Sequence, residues 1–364
     1  MSRSGGGKGD GRDPGLTGRS FTAAQSFLLD VKLRWTHDMF PALRDRVAPY
    51  PDAVEGVAAL LENDPDYRLF AWFERHLQRL KYSGRYGLYP YHAGQRDRLE
   101  ASLSGEDLPA GMLTLSPDMD LPRYYTGTDI HQHPGGVWSD PIAGFVYERG
   151  ARSTTPTLGA KHADLHTRFT DKVAADLNGA PATVFDMACG FGKSTMPFAA
   201  TYPDADIVAM DLSEPCLRLG VRTAHEAQRH NLRFVQRDAT ESGLPEDSQD
   251  LVTSTMFLHE MPPNWVEKAL RESFRVLKPG GRMAHLDFYL LPDAFARFIH
   301  YGHGRRNNEP FMRPLAEMDL PAVLTEIGFT DIAIEPFEES PGALAAENRS
   351  WRFPWTTISA TKPG

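Results

Sequence analysis

Ala182-Thr183-Val184-Phe185-Asp186-Met187-Ala188-Cys189-Gly190-Phe191-Gly192-Lys193-Ser194-Thr195 opens as a short apolar strand, ends that strand in a carboxylate, and runs straight into a chain of small residues. Small side chains at 188, 190 and 192 let a backbone come close to a ligand. They also permit the positive φ angles that a tight strand-to-helix turn demands. Asp186 at the strand tip would repel a pyrophosphate and attract a cationic or amino-bearing ligand. That carboxylate, with no GxGxxG present, argues against a nicotinamide oxidoreductase.

Downstream the same rhythm repeats. Ile207-Val208-Ala209-Met210-Asp211 reads as a second strand, its terminal carboxylate 19 residues beyond Gly192 and suited to accept from two ribose hydroxyls. Leu232 to Gln236 forms a third, followed by Asp238, placed to accept from an exocyclic amine. Leu251 to Met256 forms a fourth, leading into His259 and Glu260, and a helix ending in Val276-Leu277-Lys278-Pro279-Gly280-Gly281 feeds a fifth at Arg282 to Asp287. Strands alternating with amphipathic helices predict a parallel sheet covered on both faces.

These blocks, in this order, resemble the class I S-adenosylmethionine-dependent methyltransferase family over about residues 165–364, including a closing strand around Trp355 to Lys362. The resemblance implies a Rossmann-like, doubly wound, seven-stranded α/β fold with S-adenosyl-L-methionine as cofactor. It implies contacts at Asp186, Ala188, Gly190, Gly192, Asp211, Leu212, Asp238, Ala239 and Met256. Ala188 departs from the family's more usual glycine; the extra methyl is expected to be tolerable, with a shift of the loop as the alternative.

The N-terminal half reads differently. Residues 1–18 are rich in glycine and charge and bury too little to offset the entropy of ordering, so a disordered tail is expected. From Ser20 to Leu103 apolar residues recur at helical spacing, punctuated by Pro41, Pro51 and Pro65. Residues 104–157 lose all periodicity. The expected division is a helical and irregular lid over 19–164 and a cofactor-binding domain over 165–364.

Candidate chemistry outside the cofactor loop gathers in that irregular stretch. Asp129, His131 and His133 alternate, and on an extended chain would share one face, there to bind a metal or supply a general base; no metal is assigned. Tyr147 and Arg149 are candidates for the methionine carboxylate. His131, His133, His259 and Tyr147 form the candidate catalytic set. Arg305 and Arg306 could bind an acidic substrate group, and Tyr82, Tyr86, Tyr89 and Tyr91 could wall an apolar pocket.

Two cysteines at 189 and 216 make neither a disulfide framework nor a zinc spacing, and a net charge of -9 disfavours a polyanion surface. With no membrane-spanning run and no signal-like start, a cytoplasmic enzyme acting on a small molecule is expected, with neither nucleic acid nor membrane as partner; the oligomeric state is left open. A lid over the site points to methyl transfer in secondary metabolism. The rival keeps the cofactor but cyclises its aminobutyrate chain, as in azetidine-carboxylate formation, releasing methylthioadenosine; a second rival is a non-catalytic binding protein.

Overall fold

The computed structural model describes residues 18–103, 111–152 and 164–364; the expected tail at 1–18 lies outside them except for Gly18. Eight strands form one sheet: β1 (Leu113–Thr114), β2 (Thr183–Met187), β3 (Asp206–Asp211), β4 (Leu232–Gln236), β5 (Gln249–Thr255), β6 (Leu277–Phe288), β7 (Thr330–Pro336) and β8 (Trp355–Thr361). Their order is β1-β4-β3-β2-β5-β6-β8-β7. β1 through β6 run parallel, and β8 is antiparallel to both of its neighbours.

The apolar runs of β2 and β3 are explained by burial on both faces. Val184, Ile207 and Ala209 join the core on one side, whereas Phe185, Val208 and Met210 join the core on the other, as the pleat requires. The chain leaves β2 towards β3 and β4, then returns to β5 on the other flank of β2. That reversal opens a crevice at the carboxyl ends of these strands, where open α/β sheets bind ligands.

Two elements exceed the expected seven-stranded sheet and its lid. β1 comes from the N-terminal half and adds an edge beside β4, Leu113 facing Phe234. Within the stretch expected to be irregular, Ala143–Arg152 is a helix that buries Phe145 and Val146. Its two glycines, which mask the helical signal, are contact points: a Cβ at Gly144 would meet the Pro215 carbonyl at 2.5 Å, and one at Gly150 the Tyr82 hydroxyl at 2.5 Å.

The remaining N-terminal helices form a separate layer. Pro65 begins the helix Pro65–Ser83 under an Asp64 cap that accepts from the Asp66 and Tyr67 amides. Pro41 does not interrupt its run as expected; a π-helical segment, Trp35–Met39, joins Arg19–Arg34 to Phe40–Val47 and absorbs the missing N–H. Trp35, Phe40, Val57 and Phe70 pack on Phe295, Phe298 and Trp351, so the layer is anchored to the helix Ala294–Asn307 beyond β6.

Candidate active site: two hollows that share a wall

The first hollow, enclosing about 1150 Å³ of space partly open to solvent, lies at the carboxyl ends of β2 to β5. Its floor is the loop after β2. Ala188, Gly190 and Gly192 hold φ of 55°, 54° and 79°. At Gly192 a Cβ would come within 3.0 Å of the Phe234 ring, so glycine is required there for space as well as for conformation. Ala188 adopts the left-handed region all the same, at a cost of roughly 1–2 kcal/mol.

Asp211 at the tip of β3 braces this loop: its carboxylate accepts from the Gly190 amide at 2.8 Å and the Ser213 amide at 2.7 Å. Burial raises its pKa to about 6 against the pull of those two N–H groups. Leu212, Asp238, Ala239 and Met256 line the same hollow. Asp238 caps the short turn Ala239–Glu241 through the Thr240 amide at 2.9 Å.

Asp186 has a different place from the one expected. It is wholly buried behind the loop and does not face the hollow; its Oδ2 accepts from the Thr195 hydroxyl at 2.6 Å and the Ser194 hydroxyl at 3.0 Å. Burial, outweighing those hydroxyls, raises it to about 7. It ties the loop to the helix that follows, and its Oδ1 has no hydrogen-bond partner among the described residues.

The roof comes from the segment before β2, with Tyr124, Tyr125 and Trp138 facing the hollow. Asp129, His131 and His133, however, do not share a face. Positive φ at His131 and Gln132 coils the chain into the tight turn Ile130–Gln132, leaving Asp129 exposed and His133 fully buried against the Tyr82 ring at 5.2 Å. Among the described residues no cluster suits a metal ion. His133 lines neither hollow, and burial lowers it to about 4.

The second hollow, of about 1200 Å³, is walled by the N-terminal helices, the helix Ala294–Asn307 and the aromatic residues Trp351, Phe353 and Trp355. Tyr147, Ala151, Lys193, Met256 and Glu260 line both hollows, so the two meet there. His131 bridges the junction, with Nδ1 3.0 Å from Glu309 and Nε2 3.3 Å from Glu260. Burial alone would lower its pKa, but Glu309 and Glu260 prevail and raise it to about 10. His131 is therefore an imidazolium at neutral pH and cannot serve as the general base. Tyr147 stacks on it at 6.2 Å, and burial keeps its hydroxyl protonated.

His259 lines the second hollow and is held by a carboxylate. Its Nδ1 lies 2.6 Å from Asp287, a wholly buried carboxylate that also accepts from the Phe257 and Leu258 amides. Burial opposes its charge, yet Asp287 raises its pKa, and the pair clamps the turn after β5. Arg149 lies over the Phe21 ring, away from both hollows. Arg306 is tied to Glu74, and Arg305 is exposed. Of the four tyrosines expected to wall an apolar pocket, Tyr82 lines the second hollow, Tyr91 stacks on Phe21, Tyr89 donates to Asp140, and Tyr86 is exposed.

Besides Arg237 in the first hollow and the His131 imidazolium in the second, lysines face the hollows. Lys193 follows Gly192, lines both, makes no hydrogen bond or ion pair among the described residues, and is lowered to about 7 by burial, with Glu148 opposing and Arg152 adding to the shift. Lys32 and Lys81 line the second hollow only. Their signal was legible: Leu28, Lys32 and Trp35, like Phe70, Glu74, Leu77 and Lys81, fall on one helical stripe, where an ionisable residue among buried ones calls for a reason.

Residues 184–281 match the family described as "Methyltransferase domain". They form a class I methyltransferase domain. Around this domain the chain is 34% identical over 105 residues to a demethylmenaquinone methyltransferase of Listeria welshimeri, covering 29% of this chain and 44% of the relative. It is 34% identical over 128 residues to a 27-O-demethylrifamycin SV methyltransferase of Amycolatopsis mediterranei, covering 35% of this chain and 46% of the relative. The chain thus spans less than half the length of these relatives. Among solved structures it is similar to a phosphoethanolamine N-methyltransferase 2 of Haemonchus contortus in complex with S-adenosyl-L-methionine, at 17% identity and a TM-score of 0.42, covering 54% of this chain and 52% of the other. The cofactor of this family is S-adenosylmethionine. The left-handed loop, the Asp211 and Asp238 carboxylates and the open space over Gly190 fit such a ligand. Among the described residues no helix is long and apolar enough to cross a membrane.

Proposed function

We propose that this protein transfers a methyl group from S-adenosylmethionine to a small-molecule acceptor, with the donor in the first hollow and the acceptor in the second. The observation that carries the reading is the shared wall of Tyr147, Ala151, Lys193, Met256 and Glu260, which places two separate spaces end to end. A second space of this size favours transfer to another molecule over cyclisation of the cofactor's own chain. The relatives named for demethylmenaquinone and demethylrifamycin support an acceptor of the same small class and a biosynthetic role. The N-terminal helices and the 123–138 segment act as lid and acceptor wall over the domain that begins near 165, and the protein is cytoplasmic.

In this reading Asp211 accepts from the ribose hydroxyls, since each carboxylate oxygen has a lone pair beyond the one given to an amide. Asp238, Ala239 and Leu212 flank the adenine, while Gly190 and Met256 leave room for the methionine arm. The sulfonium supplies an activated methyl, so the chain's work is to align the acceptor, exclude water and take up a proton. Lys193, at the junction without an ion pair among the described residues and near half-neutral at pH 7, takes the proton from the acceptor. His131, held charged by Glu260 and Glu309, keeps those carboxylates from disturbing the site. Asp186 acts through the loop it ties.

Calorimetry with S-adenosylhomocysteine is expected to give one saturable site. Incubation with methyl-labelled S-adenosylmethionine and a panel of phenols, quinols and hydroxy acids is expected to yield labelled acceptor with S-adenosylhomocysteine. Release of methylthioadenosine from S-adenosylmethionine alone would establish cyclisation instead, and absence of any cofactor binding would leave a non-enzymatic protein.

A further inference from the structure

The two carboxylates at the floor of the cofactor hollow already have partners within the chain. Asp211 accepts from two amides and Asp238 from a third. The Tyr125 hydroxyl differs: Tyr125 lines this hollow, yet its oxygen is shut off from solvent and has no hydrogen-bond partner among the described residues. A buried hydroxyl left in that condition is costly, and in the wall of a hollow it calls for a ligand that completes it. The side chain is also firmly presented. Arg123–Thr126 is one helical turn, with the Tyr125 and Thr126 amides donating to the Pro122 carbonyl at 3.0 Å and 3.1 Å, and the neighbouring Tyr124 ring packs on Trp265 at 5.0 Å.

Asp211, Cys216, Glu260 and Tyr147 act on that hydroxyl through space, and all four line the same hollow. Burial first, and these neighbours after it, hold the phenol well above its ordinary range, so it keeps its proton and can donate. The Asp211 carboxylate can only accept, and no hydrogen bond joins it to Tyr125. What satisfies a phenol and a carboxylate that face one space is a group that accepts from the first and donates to the second, as an alcohol does. Resting on the reading of this hollow as the S-adenosylmethionine site, we propose that Tyr125 is a further cofactor-binding residue, its hydroxyl donating to a ribose oxygen whose own hydrogen goes to Asp211. The ribose is then held from two sides, by a strand tip of the methyltransferase domain and by the 123–138 segment ahead of it. Tyr125 does not line the second hollow, so it contacts the methyl donor and not the acceptor.

The test is a calorimetric cycle on the full-length protein, wild type and Tyr125→Phe, titrated with S-adenosylhomocysteine and with its 2′-deoxy and 3′-deoxy analogues. Tyr125→Phe is expected to bind S-adenosylhomocysteine about five- to tenfold more weakly, the usual worth of one hydrogen bond. The wild type is expected to bind at least one deoxy analogue about tenfold or more weakly than S-adenosylhomocysteine, and toward that analogue the two proteins should agree within about twofold. If Tyr125→Phe holds S-adenosylhomocysteine within about twofold of the wild type, the proposal is overturned. It is overturned equally if the variant loses the same factor toward S-adenosylhomocysteine and both analogues, since the ring then acts by packing alone. Ligand-free thermal unfolding checks the fold of the variant; should Tyr125→Phe not fold, Tyr125→Met is put through the same cycle and read the same way. Failure of the wild type to bind S-adenosylhomocysteine would instead strike the cofactor reading, so the two failures are separable.

Discussion

The two hollows are built by opposite means. The cofactor hollow is made of strand tips and the loops beside them, drawn mostly from one continuous stretch, 186–260, with much of its character coming from backbone course: left-handed residues, amides pointed at Asp211, a capped turn at Asp238. The second hollow is made of long side chains from helices more than two hundred residues apart, Glu74 meeting His303 across it. The first is rigid because the sheet holds it. The second depends on a network of charges that hold one another, which makes it sensitive to single substitutions and to pH.

Removing a carboxylate from the cofactor hollow is expected to do the most. Asp211→Ala loses the brace on Gly190 and the ribose acceptor together; at roughly 2 kcal/mol for each charge-assisted bond, S-adenosylhomocysteine affinity should fall about thousandfold by calorimetry. A fall of less than tenfold would mean that the loop, and not the carboxylate, holds the ligand.

Cutting the charge network should come next. In His131→Ala the buried Glu309 and half-buried Glu260 lose their shared cation, which is expected to lower unfolding free energy by about 3 kcal/mol in denaturant titrations. The sign with pH follows from the direction of the shift. The folded state raises His131 from 6.5 to about 10, so its contribution is full below pH 6.5 and is lost as pH climbs through about 10. Wild-type stability should therefore decline across that window more steeply than that of the variant; parallel curves would show that His131 is not the charged bridge.

The junction itself is probed by Lys193→Met. Turnover is expected to drop about 10²-fold, the usual reach of a general base, with cofactor affinity changed by less than threefold. Because burial lowers Lys193 to about 7, wild-type kcat should rise through that pH as the amine loses its proton, and the rise should be missing from the variant. A rise that persists would assign the proton to another group.

The smallest effect is expected from His133→Phe, which keeps a ring against Tyr82. Turnover should stay within twofold and stability within about 1 kcal/mol, as for a shape-conserving core exchange. A large loss of turnover would return His133 to the site.

Legibility followed the same division. Asp211, Gly190, Gly192, Asp238, Ala239, Leu212 and Met256 all line or build the hollow for which they were read, because strand periodicity and the positive φ of a tight turn are local properties that few residue types satisfy. Asp186 was correctly placed at a strand tip, yet whether it faces ligand or loop depends on Ser194 and Thr195 folding back over it. The histidines were misjudged from spacing: alternation puts side chains on one face only if the chain is extended, and the turn at His131 ended that.

Sequence alone therefore determined the strand-and-helix rhythm, the order of the blocks and the backbone special points, since hydrophobic period and φ restrictions act over a few residues. Which ionisable groups are charged, which face a cavity, and that two lysines from separate helices share one wall were decided only by the tertiary structure. A pKa and a cavity are set by neighbours that packing brings from far along the chain, and burial turns each such encounter into a strong constraint.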